Sequence, residues 1–260
     1  MMPLDGILVR EATLFLLSIA RISGLLIGAP LPWKFLPTTG RAAFAILLAI
    51  LSQSMHPRGL SLELSLLHLA LALGSEFFLG FALGFVVRLA VGVAEIAAES
   101  VAPVMGLGAA QIFDPSVGSQ SSILSKIMRH VCLFVALSVG VHHLLLGGLL
   151  GSFRAVPVGQ LLLPARLTPS LLQLSAEMLI AGTQLALPIV AILFVTQVAL
   201  AFVARSAPAM QIFSVGFAVT LGVGGLLWIL FAKDLVLELS QLRYFVEEGL
   251  LRLLSASKGT

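Results

Sequence analysis

Charged side chains set inside long apolar runs are the residues here that could do chemistry. Arg21 interrupts the first such run, and Glu76, Arg88, Glu95 and Glu99 are spaced along residues 63–101. Lys126, Arg129 and His130 follow, then Glu177 and Arg205. A charge at the centre of a hydrocarbon layer costs at least ~2.5 kcal/mol on insertion scales. Such groups persist where they pair, line a water-filled path, or reach the headgroups. Arg88 and Glu95 share a helix face, as do Glu95 and Glu99, and as do Lys126, Arg129 and His130. For any single residue, an ion pair within the chain or a headgroup contact explains the charge. The set together reads as a surface facing protein or water, either lining a pathway or pairing with neighbouring subunits.

Catalysis finds no support. The sequence has no His-Glu-x-x-His zinc pair, no Gly-x-Ser-x-Gly elbow and no Walker A loop. His142 and His143 are adjacent, which points them to different helix faces and against joint metal ligation. Cys132 is the single cysteine, so an internal disulfide or a cysteine cluster is excluded, and its apolar surroundings make it an inert core side chain. No catalytic residue, metal or cofactor is expected.

The elements that position these charges follow from composition. Of 260 residues, 59% are hydrophobic and 10% charged, and the mean hydropathy is +1.10. A soluble domain carries about 25% charged residues, so much of this surface must face lipid or apolar protein. The length suits about six to eight helices at ~20 residues per span. The net charge of +3 does not indicate nucleic acid, because the basic residues form no stripe and no stacking aromatics accompany them. Asp5, Arg10 and Glu11 precede the first apolar run, unlike a cleaved signal peptide.

Helices are expected over 12–29, 41–55, 63–101, 121–150, 170–204 and 210–232. Pro30, Pro32 and Pro37 stop the first. The segments 63–101 and 170–204 exceed one ~30 Å hydrocarbon core. The first must bend, break near Gly80 or Gly84, or project beyond the bilayer, and Pro188 should kink the second. A loop with Pro157, Gly159 and Pro164 separates the later helices. At the C-terminus, Leu235, Leu239, Leu242, Val246, Leu250 and Leu253 recur at helical steps, an amphipathic pattern suited to a bilayer surface or a partner. Gly24 with Gly28, Gly80 with Gly84, and Gly147 with Gly151 are small pairs that admit close helix packing. Lys and Arg occur in loops on both sides of any span count, so the chain need not be a series of simple spans.

The most informative segment is residues 102–120. It contains Pro103, Pro115 and several glycines, and reads as a long loop. Backbone without helical hydrogen bonds cannot face lipid, so the loop lies in water, lines a cavity or is buried in protein. Gly106 and Gly108 permit unusual dihedrals, Asp114-Pro115 favours a turn, and Met105, Leu107, Ile112 and Phe113 supply apolar bulk. Such a loop could be a plug, or an ordinary connection.

Four collinear stretches resemble the FliR family, the R-type membrane subunit of the flagellar type III protein export gate. They are Ala20-Arg-Ile-Ser-Gly24 with Ala29-Pro30, Pro37 and Arg41; Met105-Gly-Leu-Gly108 with Phe113-Asp-Pro-Ser-Val-Gly118 and Gln120; Ser152-Phe-Arg-Ala-Val-Pro157; and Ala186-Leu-Pro188 with Arg205-Ser-Ala-Pro-Ala-Met210 and Phe213. Gln211, where the family often has asparagine, and Ala102-Pro103, where it is commonly glycine-rich, depart from the pattern.

The resemblance implies an all-α membrane protein of long, partly broken helical hairpins. Residues 1–165 would be a part like the P-type subunit, including the loop 102–120, and 166–260 a hairpin like the Q-type subunit with an amphipathic end. It implies partners: P-type and Q-type gate subunits, the B-type substrate-switch and A-type export membrane proteins, unfolded flagellar substrates and the lipid membrane, with no nucleic acid. It implies the bacterial inner membrane, at the flagellar basal body, and a gate raised from the membrane plane. Met105, Gly106, Leu107, Gly108, Ile112, Phe113, Asp114, Pro115 and Gly118 would form the channel plug. Met105, Leu107, Ile112 and Phe113 would seal it and the glycines would let it move. Arg21, Glu95, Glu99 and Arg205 would make inter-subunit or buried polar contacts. The competing readings are the homologous gate subunit of a virulence injectisome, a secondary transporter or permease, and, weakest, an intramembrane enzyme.

Overall fold

The computed structural model describes residues 4–30, 33, 36–54, 65–107, 122–160, 164–206, 212–231, 233, 237 and 241–258, with backbone alone at 4–8, 164–166, 212–214 and 258. The protein is all-α: α1 (Leu4–Gly28), α2 (Thr38–Gln53), α3 (Leu66–Val101), α4 (Ile123–Ser138), α5 (Val141–Ala155), α6 (Pro164–Ser206), α7 (Ile212–Leu230) and α8 (Leu242–Lys258). Among the described residues, three helices are long and apolar enough to cross a membrane: α1 from Val9, α3, and α6 from Leu167. At ~1.5 Å per residue, the 36 residues of α3 reach ~54 Å. The 43 residues of α6 reach ~65 Å. Both exceed a ~30 Å hydrocarbon core.

Two compact units arise, each discontinuous in sequence. One comprises Met1–Ala90, Val139–Ser175 and Arg243–Thr260, the other Val91–Ser138 and Ala176–Leu242.

In the first unit, α1 and α3 interlock through their glycines. A Cβ on Gly24 or Gly28 would strike the carbonyl of Phe77 or Phe81. A Cβ on Gly80 or Gly84 would strike that of Arg21 or Leu25. Each pair therefore makes room for the backbone of the other helix. Of the three alternatives for this segment, a break near Gly80 or Gly84 is set aside: the helix runs through both, and these glycines serve close approach. Gly147 and Gly151 have nothing within 4 Å. The core continues through Leu79, Leu83, Val86, Leu145, Leu149 and Phe153. The apolar face of α8 closes it, with Val246 and Leu253 fully buried, Gly249 lying against Val86 and Leu174, and Leu250 over Gly148. The amphipathic C-terminal pattern thus covers this chain's own core, where a bilayer surface or a partner was expected; Leu235 and Leu239 lie outside the described residues.

In the second unit, Gly92 sits beneath Met178, and Gly182 against Ile96 and the Val93 carbonyl, drawing α3 and α6 together. The rest of α6 stays largely uncovered, with Leu187, Phe194, Val195 and Phe202 exposed. Such an apolar face requires lipid or a partner.

Several boundaries differ from expectation, α1 beginning at Leu4 among them. The single helix over 121–150 is two, because Gly140 takes φ +83 and caps α5. The loop expected to include Pro164 ends before it, and Pro164 opens α6, where its missing amide would have no partner in any case. Helix α6 continues through Pro188, as the expected single helix does.

Candidate functional site

The glycine loop leaves α3 through a defined turn. Pro103 cannot donate to the helical ladder, and the helix winds down over the next residues. The Leu107 amide donates to the Ala102 carbonyl (3.0 Å) and the Gly106 amide to the Pro103 carbonyl (3.0 Å), while Gly106 takes φ +85. These paired bonds around a left-handed glycine make a Schellman termination. Gly106 is thus required for the turn itself. Gly108, Ile112, Phe113, Asp114, Pro115 and Gly118 lie outside the described residues.

The root of the loop is pinned to α6 and α7. Met105 is 3% exposed, and its Cγ and Cε stand 2.6 Å from where a Gly224 Cβ would be. The Thr220 hydroxyl reaches the Met105 carbonyl at 3.3 Å, and Gln197 Nε2 donates to the Val104 carbonyl at 2.9 Å. A Cβ on Gly106 would meet the Phe217 ring at 2.9 Å. Leu107 is half-buried.

The far end of the loop is tied to the same helix it left. Arg129 on α4 donates from Nε to Glu95 Oε1 (2.5 Å) and from Nη2 to Oε2 (2.9 Å), a two-pronged pair that fixes orientation. One turn further along α3, Glu99 Oε2 accepts from the Ser122 amide (3.2 Å) and hydroxyl (3.2 Å). Ser122 in turn accepts from the Ser125 amide at 3.1 Å, capping α4. Two contacts from one face of α3 therefore bracket residues 102–121. Both charges and their helix spacing were legible in the sequence; their partners were not.

A second polar cluster lies in the first unit. Arg21 is fully buried and Glu76 2% exposed. Arg21 Nε donates to Glu76 Oε2 (2.5 Å), Nη1 to Ser152 Oγ (3.2 Å) and Nη2 to the Val156 carbonyl (3.1 Å). Its Cζ stands 4.5 Å from the Phe153 ring centroid. Glu76 Oε1 accepts from the Gly159 amide at 2.9 Å. Each nitrogen of the guanidinium and each oxygen of the carboxylate thereby has a partner, as a buried pair requires. The Arg21 and Ser152–Val156 stretches, read separately in the sequence, close on one another here, and Glu76, one of the charges singled out along residues 63–101, joins them. An arginine in an apolar helix calls for a buried acid, and Glu76 is such an acid.

Of the four residues expected at polar contacts, Arg21, Glu95 and Glu99 bind within this chain, and Arg205 is exposed near the end of α6. Arg88, Lys126 and His130 are also exposed. The rings of His142 and His143 adjoin, with centroids 4.0 Å apart, correcting the expectation that they point apart. Among the described residues no three His, Cys, Asp or Glu side chains are grouped to hold a metal. What the described residues offer is a loop root packed on α6 and α7, with the helix that follows the loop tied back to α3.

Residues 12–243 match the family described as bacterial export proteins, family 1. The chain is 31% identical to flagellar biosynthetic protein FliR of Bacillus subtilis (strain 168) over 213 residues, 80% of this chain and 82% of the relative. It is 31% identical to the protein of that name from Aquifex aeolicus (strain VF5), over 80% of this chain and 81% of the relative. With that of Escherichia coli (strain K12) it shares 31% over 149 residues, 57% of each.

Proposed function

The chain belongs to the bacterial export proteins, family 1, and from that premise we propose that it is a core subunit of the flagellar type III export gate. With P-type and Q-type subunits it forms a gated channel for unfolded flagellar proteins across the bacterial inner membrane, at the basal body. The A-type and B-type export membrane proteins are its further partners. It catalyses no reaction, and the energy for export comes from elsewhere. Residues 1–165 act as the P-like part and 166–260 as the Q-like hairpin.

The observation that carries this reading is the bracketed loop. Glu95 and Glu99 hold its far end to α3 through Arg129 and Ser122, and Met105 fixes its root on α7. A plug must be anchored at its base and free to be displaced beyond it. Met105 and Gly106 accordingly serve as the anchor and turn. Leu107, Ile112 and Phe113 supply the apolar seal, and Gly108, Asp114, Pro115 and Gly118 shape the displaced part. The uncovered apolar length of α6 gives the surface on which sister subunits and lipid pack. Arg205, exposed beside it, is left for an inter-subunit contact.

Deleting the gene and restoring it on a plasmid tests the proposal. The deletion strain should secrete no flagellar protein and make no filament, and restoration should recover both. The protein should also co-purify with two smaller helical membrane proteins. Normal filament growth in the deletion strain would overturn the reading, as would small-solute flux by this protein alone in liposomes.

A further inference from the structure

Helices α1 and α2 form a hairpin that Trp33 ties together: it is buried, donates from Nε1 to the Leu26 carbonyl at 3.1 Å and stacks on Phe44. Between the helices lies a groove of about 760 Å³. Its walls are Ile19, Ser23, Leu26 and Ile27 of α1 and Ala42, Ala45 and Ile46 of α2, the Ser23 hydroxyl donating to the Ile19 carbonyl of its own helix. Ile27 is 56% exposed and Ile46 45%, although nothing in water favours that exposure. Thr38 and Arg41, in the first turn of α2, make one end of the groove polar.

Arg41 is the sole charge of α2, and among the described residues no acidic side chain lines the groove. Its Nε is buried and has no hydrogen-bond partner among the described residues. A buried, unpaired donor on a cation is costly unless an acceptor meets it. The start of α2 adds to the demand: Pro37 at its N-cap supplies no side-chain bond, so the first-turn amides favour an anion at the same end.

We propose that a phospholipid occupies this groove, its phosphate on Arg41 and the first turn of α2, and an acyl chain along Ile19, Leu26, Ala45 and Ile46. The chemistry selects this occupant: one anionic group at one end, hydrocarbon beyond it, on helices that reside in a membrane. The volume falls within the ~300–1,000 Å³ of small-ligand sites. The inference rests on membrane residence and not on the export role.

The test uses the full chain purified in mild detergent and weighed by native mass spectrometry. Wild type should retain phospholipid. Arg41→Gln should lower retention about tenfold, the worth of one charge-assisted hydrogen bond. Ala45→Trp, which fills the groove without touching the charge, should lower it comparably. Delipidated wild type should rebind phosphatidylglycerol but not diacylglycerol, which lacks the phosphate; this arm stands even if a variant fails to fold. Equal rebinding of the two lipids overturns the proposal, as does retention unchanged by both substitutions. So does a partner subunit filling the groove of the native complex with no lipid present.

Discussion

Met105 lies against Gly224, its thioether where a side chain at position 224 would have to stand. The flexible Met can yield, but only by leaving its seat on α7. We therefore expect Gly224→Val to free the root of the loop and to raise ion leak through the assembled gate. Gly222→Val, with nothing within 4 Å, is the control and should leave leak unchanged. Conductance of vesicles carrying each complex decides it; equal leak in both would remove Met105 as an anchor.

Gly106 is held at φ +85, where a side chain costs roughly 1–2 kcal/mol, and Phe217 crowds the same spot. Gly106→Ala should reduce secretion while the complex still assembles. Gly106→Asn should be less harmful by backbone strain alone, since asparagine tolerates left-handed geometry. Secreted flagellin, measured against the amount of assembled complex, reports the order. Undiminished secretion in both variants would show that the turn is dispensable.

Breaking the Arg21–Glu76 pair leaves a buried charge with no counterpart, a loss of about 3–5 kcal/mol. Glu76→Ala and Arg21→Ala should each lower the amount of folded protein sharply. The double variant Arg21→Met with Glu76→Leu should recover most of it, because it removes both charges and keeps volume. Denaturant unfolding in detergent measures this. Additive losses in the double variant would mean that the two side chains act independently.

Glu95 and Arg129 are partly exposed, at 28% and 42% of their side chains, so their pair contributes about 1 kcal/mol or less to stability. Its larger effect should be on the loop it brackets. Arg129→Glu should perturb gating with little change in melting temperature, and adding Glu95→Arg should restore function. If the exchange of charges restores nothing, the pair does not set the position of the loop.

The α1–α3 interlock gives a further contrast. Gly80→Ala places a methyl on the Arg21 carbonyl, whereas Gly74→Ala meets nothing within 4 Å. Overpacking of this kind costs about 1–3 kcal/mol, while Gly74→Ala should be neutral or slightly stabilising through helix propensity. Thermal melting of the two variants separates them, and matched melting temperatures would count against close packing there.

The sequence by itself determined the class of the protein, because 59% hydrophobic and 10% charged residues leave no way to build a water-facing surface. It also determined most helices, since period and proline are local properties, and it marked Arg21, Glu95, Glu99 and the glycine loop as unusual. Only the tertiary structure decided what these residues touch. Periodicity states which face a residue occupies but not which helix will meet that face, so Glu76 for Arg21 and Arg129 for Glu95 came from packing across 55 and 34 positions. The same reason holds for Gly80, a hinge by composition and a contact by geometry. A glycine bends a chain where nothing presses on it, and admits a neighbour where something does.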